Sequence, residues 1–474
     1  MRVLGSFLLH AIACLLLAVA CVAADSNAPS ADGTTPLHLA VRDNDLAKVN
    51  KLLAAGADAK AANRYGVTPL YLACQNANPA IIERLLKAGV DPNSVSTEGE
   101  TALMTVARTG VVEAARVLLD HGAKVDAREE WHGQTALMWA VDEQHPAMMK
   151  ELIAHGADVN AVSNVNKWER QVTSEPRDKW LPLGGLTPLL FAARQGCVEC
   201  EQVLLDAGAK IDAVDPDGIS PVLIAIINGH YDAAAFLVNK GADPNLADDT
   251  GRTALFSAVD FNTMPVSNRP SPRVIDNQMT SLELIKLLLD KGANVNAQLK
   301  KQQPYRTKLD RGDDTVLTTG TTPLLRAAKA ADLPAMRLLL AKGADPKLAT
   351  RAGITPLMAA AGLGSKEEDT TGRFKTEAEA IEAIQLCLDA GVDINAANGQ
   401  GQTALHAAAL KGSDKIVQFL ADHGANLSAK DKQGKTPLDA ALGQAGGSGG
   451  FDGSRKDVHE STADLLKKLL AKAQ

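Results

Sequence analysis

At 474 residues the chain is too long for one hydrophobic core, so it divides into domains or stacks repeated units. Apolar residues make up 46% and aromatics only 3%, which leaves Ala, Leu, Val and Ile to build the interior and suits thin, closely spaced helices. The formal net charge of −7, with no basic run, argues against a nucleic-acid partner held by counterion release.

Residues 1–24 have the pattern of an export signal: Arg2 as a minimal positive start, an apolar stretch from Leu8 to Val19, and Val22-Ala23-Ala24 at the cleavage position before Asp25. Cleavage there gives a soluble exported protein. Cleavage before Cys21, with a lipid on that cysteine, or retention of 3–24 as an anchor are the alternatives. Export implies a periplasmic or secreted location, and no later segment is long and apolar enough to span a membrane. Residues 25–31 form a linker. The four cysteines beyond the signal are too few for a disulfide-built scaffold.

From residue 32 the chain repeats itself. A helix-opening Thr-Pro-Leu or close variant stands at Thr35, Thr68, Thr101, Thr135, Thr187, Ser220, Thr253, Thr322, Thr355, Thr403 and Thr436. Most of these are 33 or 34 residues apart, and the longer intervals are one unit plus an insertion. The units start near 32, 65, 98, 132, 184, 217, 250, 319, 352, 400 and 433. The extra residues fall near 165–183, 262–279, 298–317, 362–376 and 443–454, and their polar, proline-bearing composition predicts surface excursions.

Each unit has the same physical plan. Thr or Ser caps a short helix, with Pro favoured at its first position. Small residues such as Ala408 and Ala409 let that helix approach its neighbour. A second helix carries Leu-Leu pairs such as Leu118-Leu119, and a Gly such as Gly424 ends it. An extended finger leads to the next Thr. Two such helices cannot bury their apolar faces alone, so each unit depends on the next. In the last unit a helix is expected from about 457 to 471.

Over residues 32–474 these units resemble ankyrin repeats, and Thr34-Thr35-Pro36-Leu37-His38-Leu39-Ala40 is close to that family's opening pattern. The resemblance implies an all-α solenoid of stacked antiparallel helix pairs with β-hairpin-like fingers. It also implies a non-enzymatic scaffold that binds another protein through its concave groove and fingers.

All four tryptophans lie between Trp131 and Trp180. Trp139 occupies the variable inner-helix position that faces the groove in ankyrin-like proteins, as do Phe191 and Arg326. Trp168 and Trp180 lie on the first insertion. Aromatic and arginine side chains concentrate in binding hot spots. The expected contact residues are therefore Tyr65, Arg108, Trp131, Trp139, Trp168, Trp180, Phe191, Arg194 and Arg326. The alternative is an insertion folded back so that its tryptophans merely pack on Trp139. If the insertion instead builds a sugar or small-molecule site, the protein is a periplasmic carbohydrate- or small-molecule-binding accessory.

Cys197-Val198-Glu199-Cys200 opens a second helix and reads as two packing thiols, a local disulfide, or half of a zinc site whose other ligands are missing. The histidines follow the repeat rather than any ligand spacing. No phosphate loop, dinucleotide fingerprint, H-E-x-x-H or G-x-S-x-G occurs, so neither a catalytic residue, a cofactor nor a metal is expected.

Overall fold

The structure, a computed structural model, describes residues 29–167, 183–264, 277–302, 316–365, 370, 374–444 and 458–473. Residues 1–24, read above as an export signal, lie outside them, as do Trp168, Trp180 and parts of every insertion. The described residues contain twenty-two helices, two for each of the eleven units. None is long and apolar enough to cross a membrane.

The helices start where their caps dictate. Thr68 Oγ1 accepts the amide of Tyr71 at 3.2 Å, and Pro69 opens the helix Pro69–Gln75. Thr322 does the same for Leu325 at 3.1 Å, ahead of Pro323–Ala330. Such a cap stabilises its helix by about 1 kcal/mol. His38 extends the device. The Thr35 amide donates to its Nδ1 at 3.2 Å, and Nε2 bonds the Val67 carbonyl of the next unit at 3.0 Å. His406 repeats this with Thr403 and Lys435, and burial lowers its pKa, which keeps the ring neutral.

Two compact units are present. One holds repeats one to four with residues 184–192 and 199–210; the other holds residues 193–198 and those from 211 onward. In the first, inner helices Pro36–Arg42, Pro69–Gln75, Ala102–Thr109 and Ala136–Asp142 pack in succession through fully buried Ala40, Ala73, Ala107 and Ala140. Their outer partners pack in a parallel row through Leu85, Leu118 and Leu152. The same two rows run through the second unit, from Pro221–Ile227 to Pro437–Ala441 and from Tyr231–Asn239 to Glu460–Lys472. That final helix begins at Glu460, after the expected start, because His459 takes the N-cap position.

The fingers are tight turns. Asn63 Oδ1 accepts the amides of Tyr65 and Val67, both at 3.0 Å, and Asp431 does the same for Gln433 and Lys435. One finger bonds the next through its backbone, as Lys432 N–H does to Gln400 O at 2.8 Å. Among the described residues only isolated bridges occur, such as Val95 with Thr101, so the hairpin-like fingers are not paired strands.

The described ends of the insertions correct the expectation that they are wholly surface excursions. Leu299, Val316 and Leu317 are buried, and the last two join Leu325, Ile354 and Met358 in one apolar cluster. This insertion re-enters the stack on an apolar foot, which anchors it against the repeats. At the insertion expected from residue 262, the inner helix of repeat seven instead runs on to Thr263.

Candidate functional site

A cleft lies in the first unit, over the fingers and inner helices of repeats three and four, with a volume of about 550 Å³. Its floor is the Trp139 indole, which the helix Ala136–Asp142 presents four residues after the Thr135 cap. The Arg108 guanidinium, from the last turn of Ala102–Thr109, lies over that ring at 4.1 Å from its centroid. Arg108 Nη2 is held by Glu100 Oε1 at 3.1 Å. The Trp139 Nε1–H is buried and has no hydrogen-bond partner among the described residues.

Trp131 stands at the cleft's edge, 74% exposed. A buried carboxylate holds its backbone there. Glu129 Oε2 accepts the Trp131 amide at 2.6 Å, and Glu129 Oε1 accepts those of His132 and Gln134 at 2.8 and 2.9 Å. Glu129 thus does for this finger what Asn63 and Asp431 do for theirs. Arg128 ties the same finger to the next unit through the Val162 carbonyl at 2.6 Å. A large apolar surface is therefore displayed on a turn whose amides are already satisfied, which lowers the ordering cost of a contact there.

The rim is acidic. Among the described residues, Glu98, Glu100, Asp142 and Glu143 line it together with Glu129, beside the Arg108 guanidinium. Glu98 comes from a finger tip and Glu143 from the C-terminus of the Trp139 helix. Among the described residues no three acidic, histidine or cysteine side chains converge to hold a metal ion. The site can stack on, desolvate and attract a ligand.

The model for "Ankyrin repeats (3 copies)" matches residues 8–96, 76–163, 172–248, 189–299 and 376–448, and that for "Ankyrin repeat" matches 319–351. The chain belongs to the ankyrin-repeat family. The B-cell lymphoma 3 protein homolog of Mus musculus is 39% identical over 236 residues, which is 50% of this chain and 43% of that one. Ankyrin repeat and SOCS box protein 6 of Homo sapiens is 30% identical over 166 residues, 34% of this chain and 35% of the relative. The chain spans less than half the length of these curated relatives. Among solved structures, the human ASB11 ankyrin repeat domain is similar at 22% identity and a TM-score of 0.41. It covers 55% of this chain, which covers 98% of it.

Of the contact residues expected from the sequence, this ankyrin-repeat chain brings Arg108, Trp131 and Trp139 into one cleft. Tyr65 is 58% exposed on an earlier finger, under the Arg64 guanidinium at 4.8 Å, and does not line the cleft. Two residues are corrected. Phe191 is 3% exposed and packs in the core of its repeat. Arg326 is fully buried in an ion pair with Asp260. Neither offers surface to a partner. Arg194 is half-buried, and its carbonyl is bonded by His230.

Cys197 and Cys200 are both disulfide-bonded, and Cys200 is completely buried. Beside them Glu201 is also completely buried, with no hydrogen-bond partner for its carboxyl among the described residues, and burial pushes its pKa up to about 9. The acidic rim and Glu201 escaped the sequence reading. Acids at finger tips and helix ends look like ordinary solvated repeat residues, and only the fold gathers them.

Proposed function

We propose that this protein is an exported, non-enzymatic ankyrin-repeat scaffold that binds another protein through its concave groove and fingers, with the Trp131–Trp139 cleft as the centre of contact. The observation that carries the reading is the exposed Trp131 ring at the edge of an open cleft, on a finger whose Trp131, His132 and Gln134 amides are already bonded. Preformed aromatic and arginine surfaces of this kind supply most of the energy of protein interfaces. The relatives that carry ankyrin repeats, among them a protein named for its SOCS box, support recognition rather than catalysis as the role of the repeats. Export rests on the composition of 1–24, and mass spectrometry of the mature N-terminus tests it: Asp25 as first residue supports a soluble protein, and a lipid-modified Cys21 an anchored one.

The binding test is capture from the exported fraction with the wild-type chain beside Trp139→Ala, set against a glycan array. A captured protein that is lost from the variant is the expected result. A glycan signal with no captured protein overturns the scaffold and favours the carbohydrate-binding reading instead.

A further inference from the structure

We infer that the cleft recognises an arginine-bearing basic segment of its protein partner, with a guanidinium stacked on Trp131 and drawn in by Glu98 and Glu143; this rests on the scaffold reading above. The molecule already contains the interaction it would offer. Arg108 lies on the face of Trp139 at 4.1 Å while Glu100 grips its Nη2, so one aromatic face and one carboxylate here hold one guanidinium. The same pair of elements recurs at the mouth, where no cation from the described residues is seated on it. Trp131 is 74% exposed, and Glu98 and Glu143 face the same cleft without an ion pair among the described residues.

Charge complementarity selects the occupant. Among the described residues the lining carries more carboxylates than cations, with Glu98 and Glu143 in no ion pair there, so an acidic or phosphorylated segment is repelled and a cation attracted. An aromatic face adds to that attraction, most for the planar, weakly hydrated guanidinium. The exposed Trp131 ring also gives the aliphatic stem of the arginine an apolar surface to pack on. The net charge of −7 adds long-range steering of a basic partner.

The test uses the purified full chain and a fluorescein-labelled peptide, Gly-Gly-Arg-Gly-Arg-Gly-Gly, beside the same peptide with citrulline in place of arginine, read by anisotropy at low and raised salt. The arginine peptide is expected to bind at least about tenfold more tightly than the citrulline peptide, with the difference shrinking as salt rises. Trp131→Ala should weaken it about tenfold and Trp131→Phe much less. Glu98→Gln and Glu143→Gln should each weaken it about threefold. Melting curves confirm that these exposed substitutions leave the fold intact. Equal binding of the citrulline peptide, unchanged binding by Trp131→Ala, or no binding of either peptide overturns the inference. If the peptides fail while capture of a protein still depends on Trp139, the scaffold reading stands and the arginine reading falls. Peptide binding without any captured protein does the reverse.

Discussion

Trp139 and Arg326 occupy the same place in their repeats, four residues after the capping threonine on an inner helix, yet one floors an open cleft and the other is sealed. The difference lies in the unit next door. The unit before Arg326, repeat seven, has an inner helix of ten residues, Ala254–Thr263, where the unit before Trp139, repeat three, has one of eight, Ala102–Thr109. The last turn of the longer helix covers the groove position of repeat eight. Arg326 Nε pairs with the Asp260 carboxylate, and Nη2 reaches the Asp260 carbonyl at 3.2 Å and Thr263 Oγ1 at 3.0 Å. Asn262 from the same turn bonds Asp332 at 2.7 Å. One part of the molecule thus keeps its groove open to partners, while another spends the same register on its own stability. The position along a repeat sets the direction in which a side chain points, and the neighbouring unit decides what it meets.

The strongest way to break this contrast is to strip the partner from the sealed arginine. Asp260→Ala leaves a buried guanidinium poorly compensated and should cost about 3–5 kcal/mol in urea unfolding, whereas Asp260→Leu combined with Arg326→Met should recover most of it. Unchanged stability in Asp260→Ala would mean that Arg326 reaches water and that the groove there is open too.

Glu201 sharpens the contrast from the other side, as a buried acid without a partner among the described residues. Its folded pKa of about 9 lies above the ordinary value of 4.5, so the folded state holds its proton more tightly than the unfolded chain. The sign follows: wild-type stability falls as pH rises from about 4.5 towards about 9. Glu201→Gln removes that slope, leaving the two proteins alike near the acid end and the variant more stable near pH 8 by on the order of 2–4 kcal/mol. Parallel melting temperatures across that range would sink the assignment.

At the open end the effects are smaller. Trp139→Ala removes a half-buried ring and its arginine contact and should cost about 2 kcal/mol, less than a fully buried tryptophan. Trp131→Ala should change stability by less than about 0.5 kcal/mol, because its ring is mostly in water, while weakening the peptide binding described above about tenfold. A large loss of stability in Trp131→Ala would show that the residue is structural.

The repeat itself was legible in the sequence because its chemistry is local. A Thr followed by Pro specifies a helix start from its own hydrogen bond, and Gly424 at φ +89° closes a helix in a conformation that other residues rarely adopt. Register also brought Arg108, Trp131 and Trp139 together. It failed for Phe191 and Arg326, where neighbouring structure covers the groove position, and for the buried foot of the third insertion, where Val316 and Leu317 were too few to outweigh a polar segment. The acidic rim was invisible because Glu98 and Glu143 lie far apart along the chain and meet only through the stacking of two repeats.

A row of asparagines joins the outer turns of successive units. Asn93 donates to Gly122 O at 3.1 Å and accepts from Lys124 N at 2.8 Å. Asn160 does the same with Gly208 and Lys210 at 3.2 and 2.9 Å, and Asn245 with Gly292 and Asn294 at 3.1 and 2.7 Å. The first joint closes over 29 residues of chain, the second over 48 and the third over 47, yet the geometry hardly changes. The couplings are interchangeable. Such a backbone can acquire or shed a loop between any two links without resetting the links themselves, so new binding surface can be trialled at one joint while every other joint keeps its fit.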